Sequence, residues 1–374
     1  MTAKDLTGFQ QHCLKAGYSF VSYRMPGEPT PVTIPGRPRL LDPGTLPENE
    51  KGFLFSPYNS SRESLWFKAE MIIKGTGVEE GYFFTPPVTP NQQRPLIFPD
   101  NLELPQSTPE SAYMNGIKSI ISQIKQGTIQ KAVLSRVIRL PFEVIAEAPL
   151  LFKNLSAAFP NAFVYLLYSP LTGVWLGATP ELLLSSTGQR ISTMALAGTR
   201  KAGTIGDWGK KEVVEQEWVS KYVREKLSES GCTGIEQSRT YTVLAGNVEH
   251  LRTDFVAMIL GKNLQNLLNK IHPTPAVCGW PTKEASNIIS SAENYDRSYY
   301  TGYLGPVNID QKVTLFVNLR CLQAINSQAA IYAGGGITID SDPVKEWEET
   351  SIKSRTLLGE IEKIRILAEN RSLD

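Results

Sequence analysis

Glu346, Glu349 and Lys353 lie three and four residues apart in "VKEWEETSIKS". On a helix that spacing puts two carboxylates and an ammonium on one face. Just upstream, "YAGGGITIDSDP" supplies Gly334, Gly335 and Gly336, which can bare backbone N–H groups with no side chain in the way. Asp342 then suits a helix cap, with Pro343 at the first helical position. One face would then offer two carboxylates and a cation beside exposed amides. It could equally be a solvated helix face with an i,i+4 Glu–Lys pair, and the segment alone leaves both open. The glycine run is not a G-x-G-x-x-G fingerprint, and no βαβ pattern surrounds it.

Other groups could carry chemistry. Lys131 opens the apolar run "KAVLSRVIRL", either as an edge residue or as a buried amine with a lowered pKa. Glu181, in "GATPELLLSS", is either a turn carboxylate or a partly buried acid with a raised pKa. Glu212, Glu215 and Glu217 share the helix-like "KKEVVEQEWVSKYVREKLSES". His250 and His272 are two of three histidines and fall in no HExxH or paired His/Cys spacing, which argues against zinc. The absence of a G-x-S-x-G elbow argues against a serine hydrolase.

These groups must be positioned by a chain of 374 residues, 41% hydrophobic and 20% charged, with a formal net charge of +1. The near-neutral balance argues against a nucleic-acid partner, and no apolar run has the length of a membrane span. The first residues show no basic region followed by an apolar one. A cytoplasmic protein with four reduced cysteines is therefore expected. Residues 1–105 are Pro/Gly-rich and read as short strands, including "GYFFTPP", with "NQQRPLIFPDNLELPQ" as a connector into 106–374. Ser107 or Thr108 is the expected cap of a helix that has Pro109 in its first turn and stops at Gly127. A long amphipathic helix is expected over about 210–230, and a closing one from Pro343. Strands are grouped more than they alternate with helices, which predicts an α+β fold with large antiparallel sheets.

Taken in order, "KAVLSR", "GATPELLL", "ALAGTR", "KKEVVEQ", "VEHLRT", "HPTPAVCGWP", "DRSYYTGYLGPV", "VNLRC" and "YAGGGITIDSDPVKEWEETSIKS" resemble the chorismate-utilising enzymes. Within that family they resemble the isochorismate synthases. The likeness runs from about Lys131 to Lys353. It implies two antiparallel sheets packed face to face with helices outside, and a chorismate site that uses Mg2+. Glu215 and Glu349 match the metal-ligand positions, with Glu346 beside them. Arg320, Tyr300, Lys353 and Gly334 match the positions that hold the pyruvyl carboxylate. Gly198 and Thr199 match those at the ring carboxylate, and His250 matches a histidine near the ring. Members that add an amine carry glutamine where this chain has Lys131. The resemblance therefore makes Lys131 the base toward a water attacking ring C2, and Glu181 the acid toward the hydroxyl leaving C4. Ala197 replaces the lysine nucleophile of the aminodeoxychorismate synthases. Gln216 stands where the family usually has histidine. A monomer with no glutaminase subunit is implied, with menaquinone synthesis as the expected destination and siderophores or salicylate as the others. Salicylate synthase and a non-catalytic chorismate-binding protein are the competing readings.

Overall fold

Among the described residues of the computed structural model, which are 5–75, 99, 102–260 and 263–371, the strands gather into two sheets with antiparallel pairing. One sheet has nine strands and the other ten, as the α+β expectation requires. The nine-stranded sheet contains Gly279–Trp280, Lys131–Pro141, Gln328–Ile337, Cys321–Ile325 and Gly173–Thr179 in that order, and ends on N-terminal strands. The ten-stranded sheet contains Thr233–Gln237, Val248–Met258, Arg190–Lys201, Leu182–Thr187 and Lys312–Val317 in order. It too ends on N-terminal strands, so the first part of the chain extends both sheets. The "GYFFTPP" reading lies outside the described residues, as does most of the connector after it.

Aromatic side chains fill the space between the sheets. Phe163 stacks on Phe316 with centroids 4.3 Å apart, and Trp175 on Tyr332 at 5.6 Å. The strand Phe163–Ser169 is buried along its whole length. It reads as a continuous apolar run because its second face is covered by the helices Leu6–Lys15 and Val144–Ala158. The helix Lys210–Glu229 covers the ten-stranded sheet through Val219, Tyr222, Val223 and Leu227. The closing helix Pro343–Arg371 packs Leu357, Ile361 and Ile364 against the nine-stranded one. Its start is as expected, with Asp342 Oδ1 accepting the Val344 and Lys345 N–H groups at 3.0 Å.

One cap differs from expectation. The helix Glu110–Lys125 has Pro109 at its cap position and no side-chain cap. Ser107 Oγ and Thr108 Oγ1 instead accept the N–H groups of Arg139 and Val137, at 2.9 and 3.0 Å. The two-residue strand Gly279–Trp280 leaves that side of Lys131–Pro141 unpaired beyond its start, and the hydroxyls satisfy it.

Two neighbouring passages of the chain cross from one sheet to the other. One joins Gly173–Thr179 to Leu182–Thr187, and the second joins Lys312–Val317 to Cys321–Ile325. Glu181 lies in the first and Arg320 in the second. Val317 N–H donates to Glu181 O at 3.0 Å, and Ala178 N–H donates to Arg320 O at 3.1 Å. The crossings are thus laced together, which fixes both side chains at the rim of the inter-sheet space.

Candidate active site

Lys131 is fully buried and is not an edge residue, because Trp280 pairs with it across the sheet. On its other side the strand Gln328–Ile337 pairs in register, Gly334 with Ser135, Gly335 with Leu134 and Gly336 with Val133. The Lys131 ammonium lies 2.7 Å from Glu215 Oε1, although no acceptor meets it in hydrogen-bond alignment. A Cβ on Gly336 would come within 2.4 Å of Glu215 Oε1 and 3.0 Å of Lys131 Cε. The glycine is required so that this pair can form directly over the strand.

Glu181 lines a cleft that Gly336 and Glu215 also line, with 4% of its surface exposed. Burial pushes its carboxyl up to about 8, against the opposing pull of Lys131 and Lys353. At neutral pH it is a proton donor. Of the two placements open in the sequence, the structure puts both Lys131 and Glu181 in the interior.

Cationic and polar groups line the remainder. Arg320, at a φ of 47°, donates to Thr356 Oγ1 at 3.2 Å and approaches His250 Nε2 at 3.4 Å. His250 Nδ1 is 3.0 Å from Gly198 O and 3.2 Å from Thr199 Oγ1. These contacts assign the proton to Nδ1, which donates to the carbonyl, and leave Nε2 as acceptor. Burial, then Arg320 and Lys353, hold this imidazole down at about 3, so it is neutral. Gly198 takes a φ of 67° at a break in register between Arg190–Lys201 and Val248–Met258, and its Cα sits close over Glu212 of the covering helix. Lys353 Nζ donates to Gly334 O at 3.0 Å and to Glu349 Oε1 at 2.6 Å. The Tyr300 hydroxyl is 3.0 Å from where a Gly334 Cβ would stand. All the expected substrate-side residues therefore converge on one cleft.

Glu215, Glu346 and Glu349 also converge, from two helices onto one strand. A Cβ on Gly335 would lie 3.2 Å from Glu346 Oε2 and 3.5 Å from Glu349 Oε1, next to the Glu215 contact at Gly336. Burial raises Glu215, but Lys131, Lys211 and Lys353 outweigh it and hold the carboxyl below its usual range. Burial and then Glu349 push Glu346 up, against Lys211. Each carboxylate is turned onto its own lysine, Glu215 to Lys131, Glu346 to Lys211 and Glu349 to Lys353. Among the described residues, no three His, Cys, Asp or Glu side chains form a ready-made metal cage. Glu346 Oε2 is nonetheless buried without a hydrogen-bond partner.

Gln216 points away from this chemistry. Its amide donates to Ala195 O and Thr253 Oγ1, both at 3.0 Å, and so ties the helix to the ten-stranded sheet. A side chain that need only donate explains why an uncharged amide serves there. Trp347 packs under the Arg136 guanidinium, 3.6 Å from its centroid, and locks the start of the closing helix. Lys211 was not singled out by the sequence reading, yet it lines the cleft. Its signal was present, since it precedes Glu215 by four residues and shares that helix face.

Residues 88–362 match the family described as "Chorismate binding enzyme". The chain belongs to that family. Among other chorismate-binding enzymes, it is 32% identical over 244 residues to isochorismate synthase EntC of Escherichia coli (strain K12), covering 62% of each chain. The match thus spans under two thirds of that relative's length. Identity to isochorismate synthase DhbC of Bacillus subtilis (strain 168) is 29% over 273 residues, 68% of each chain. The structure of MenF, the menaquinone-specific isochorismate synthase of Escherichia coli, superposes with a TM-score of 0.74 at 19% identity, over 95% of this chain and 91% of that one. The fold is shared along almost the whole chain. No described helix is long and apolar enough to cross a membrane.

Proposed function

We propose that the protein is an isomerase that interconverts chorismate and isochorismate by adding water at ring C2 while the C4 hydroxyl leaves. The observation that carries this reading is a buried carboxyl, Glu181, that lines the cleft and is held protonated near pH 7, with the buried amine of Lys131 acting on it electrostatically from under the cleft-lining Gly336. In its unprotonated form Lys131 takes a proton from the attacking water. Glu181 gives its proton to the departing hydroxyl, the ring double bond migrates, and one water enters as one leaves. The reverse reaction uses the same two groups with their roles exchanged.

Substrate would be held by its charges. Arg320, Lys353 and the Tyr300 hydroxyl suit the pyruvyl carboxylate beside Gly334, with a guanidinium fork and an ammonium supplying charge-assisted hydrogen bonds. The backbone at Gly198 and Thr199, with neutral His250, suits the ring carboxylate. Glu215 and Glu349 would hold Mg2+, with Glu346 beside them. Hard carboxylate oxygens, the unpartnered Glu346 Oε2 and the mutual repulsion of Glu346 and Glu349 fit a divalent cation. When bound, the ion supplies positive charge that binds and orients a substrate carboxylate. Water rather than ammonia as nucleophile calls for no glutaminase subunit, and we read the protein as a cytoplasmic monomer. We assign its product to menaquinone synthesis, the pathway named for the structural neighbour MenF.

The test is a product assay with chorismate and Mg2+, with and without EDTA, resolved by chromatography. Isochorismate approaching a fixed ratio to chorismate, and abolished by EDTA, is expected. Salicylate with pyruvate would reassign the chain to salicylate synthesis. Unchanged chorismate would leave a binding protein. Loss of menaquinone on deletion of the gene tests the pathway.

A further inference from the structure

Lys211 is the one cleft-lining lysine that the proposed reaction does not use. It is the second residue of the helix Lys210–Glu229, where the helix dipole disfavours a cation. Its ammonium is nevertheless turned inward, 2.5 Å from Glu346 Oε1, with the side chain 23% exposed. Its neighbours explain this. Glu346, Glu215 and Glu349 all act electrostatically on this one ammonium. Lys211 is thus held by Glu346, the carboxylate beside the two proposed ligands, and feels both of those ligands from farther off.

We propose that Lys211 is a built-in competitor of the divalent cation, its ammonium occupying the carboxylate cluster in the metal-free protein and swinging out when the ion binds. This rests on the Mg2+ reading given above. Glu215 and Glu349 have Lys131 and Lys353 as counter-charges, but Glu346, repelled by Glu349 and only 2% exposed, could not be left without one of its own. One ammonium relieves that repulsion in part, since Glu346 Oε2 stays without a partner. A divalent ion with several oxygen positions relieves it more fully, but only after the Lys211 head has left Glu346, because the ion and that ammonium compete for the same carboxylate. The move is available: the side chain has a flexible four-carbon stem, sits in the first turn of its helix and already reaches solvent. Lys131 and Lys353 differ. Both are more deeply enclosed, with side chains 0% and 14% exposed, and Lys353 is also bonded to Gly334 O. The cluster is thus kept balanced without metal, and metal affinity is set by the difference between two cations.

The test is isothermal titration with Mg2+ alone, paired with thermal unfolding with and without Mg2+. Wild type, Lys211→Met, Lys211→Arg and Glu349→Gln are compared. Lys211→Met should bind Mg2+ at least fivefold more tightly, unfold at a lower temperature without metal, and gain more from added Mg2+ than wild type. Lys211→Arg keeps the competing charge and should stay within about twofold of wild type. Unchanged or weaker Mg2+ binding by Lys211→Met, with Glu349→Gln still weakening it, would overturn the competitor alone. Failure of wild type to bind Mg2+ would overturn the metal reading and this inference together. If Lys211→Met does not fold, Lys211→Gln carries the same expectation.

Discussion

Lys131 Nζ stands 2.7 Å from Glu215 Oε1, directly over Gly336, and joins the proposed base to a proposed metal ligand across a sheet and a helix. The ammonium is wholly enclosed and the carboxylate nearly so. Removing either partner strands the other, and such breaks in buried pairs cost about 3–5 kcal/mol.

Lys131→Met keeps the length of the side chain and deletes the amine. Turnover should fall by about 10²–10⁴-fold, the usual worth of a positioned base, while chorismate affinity changes little. Product formation and direct binding by calorimetry check this together. Near-normal turnover would remove Lys131 from the mechanism.

Glu181 must hold a proton to act as the acid, and burial keeps its carboxyl at about 8. Rate should therefore fall as pH rises through about 8, and Glu181→Gln should lose activity while staying folded. Stability gives an independent readout. Between its ordinary value of 4.5 and about 8 the folded protein holds this proton and the unfolded chain does not, so stability falls as pH rises across that window. Glu181→Gln should remove this group's share of that slope, up to about 1.4 kcal/mol of stability per pH unit, and so flatten the melting-temperature profile there. An unflattened profile would contradict the buried acid.

Gly336→Ala tests the close approach itself. The new methyl would stand 2.4 Å from Glu215 Oε1, nearer than any real contact, so the carboxylate must leave Lys131. The expected result is a folded protein with activity reduced at least about 100-fold and weaker Mg2+ binding. Gly335→Ala meets its nearest neighbour at 3.2 Å and should be milder. Equal effects would show that strand packing, not the pair, makes these positions glycine.

Much of this cleft was legible in the sequence because its parts are local. The Glu346, Glu349 and Lys353 face follows from helix periodicity, and Asp342 caps that helix as its position before Pro343 implied. Whether Lys131 was an edge or a buried residue could not be read. The answer depends on Trp280, nearly 150 positions away, closing that side of the strand. Glu181 was ambiguous for a similar reason, since only the pairing of two inter-sheet crossings encloses it. Lys211 shares a helix face with Glu215, but its contact with Glu346 lies between two helices and leaves no spacing in either one, so its role in the cleft does not follow from the sequence. Ser107 and Thr108 were misassigned because a strand with an unpaired side competes for the hydroxyls that a cap would use.

Glu349→Gln and Glu215→Gln should each shift the Mg2+ dependence of activity to at least about tenfold higher concentration and weaken chorismate binding with it. A carboxamide keeps the shape and loses the charge that a hard divalent ion needs. Glu349→Gln also releases Lys353, which is bonded to it at 2.6 Å, so part of its effect should appear as weaker substrate binding at saturating Mg2+. An unaltered Mg2+ titration in either variant would rule out direct ligation by that residue.

His272 sets an acid limit on the fold outside the chemistry. Its Nε2 donates to Thr301 O at 3.0 Å, and the ring packs edge-on against Tyr303 with centroids 4.9 Å apart. Burial holds the imidazole down at about 4, against the small upward pull of that hydrogen bond. The folded protein therefore keeps His272 neutral below pH 6.5, where the unfolded chain takes up a proton. Stability from this group is complete above about 6.5 and is lost as pH falls toward 4, by about 1.4 kcal/mol per unit. His250, held at about 3, adds a similar slope over the same range. His272→Gln can still donate to Thr301 O but does not titrate, so in thermal unfolding it should lose this group's share of the acid slope between pH 6.5 and 5, about 1.4 kcal/mol per unit, while Glu181 runs in the opposite sense in both proteins. Equal slopes would mean that His272 is protonated in the folded protein and that its ring is not held neutral by its surroundings.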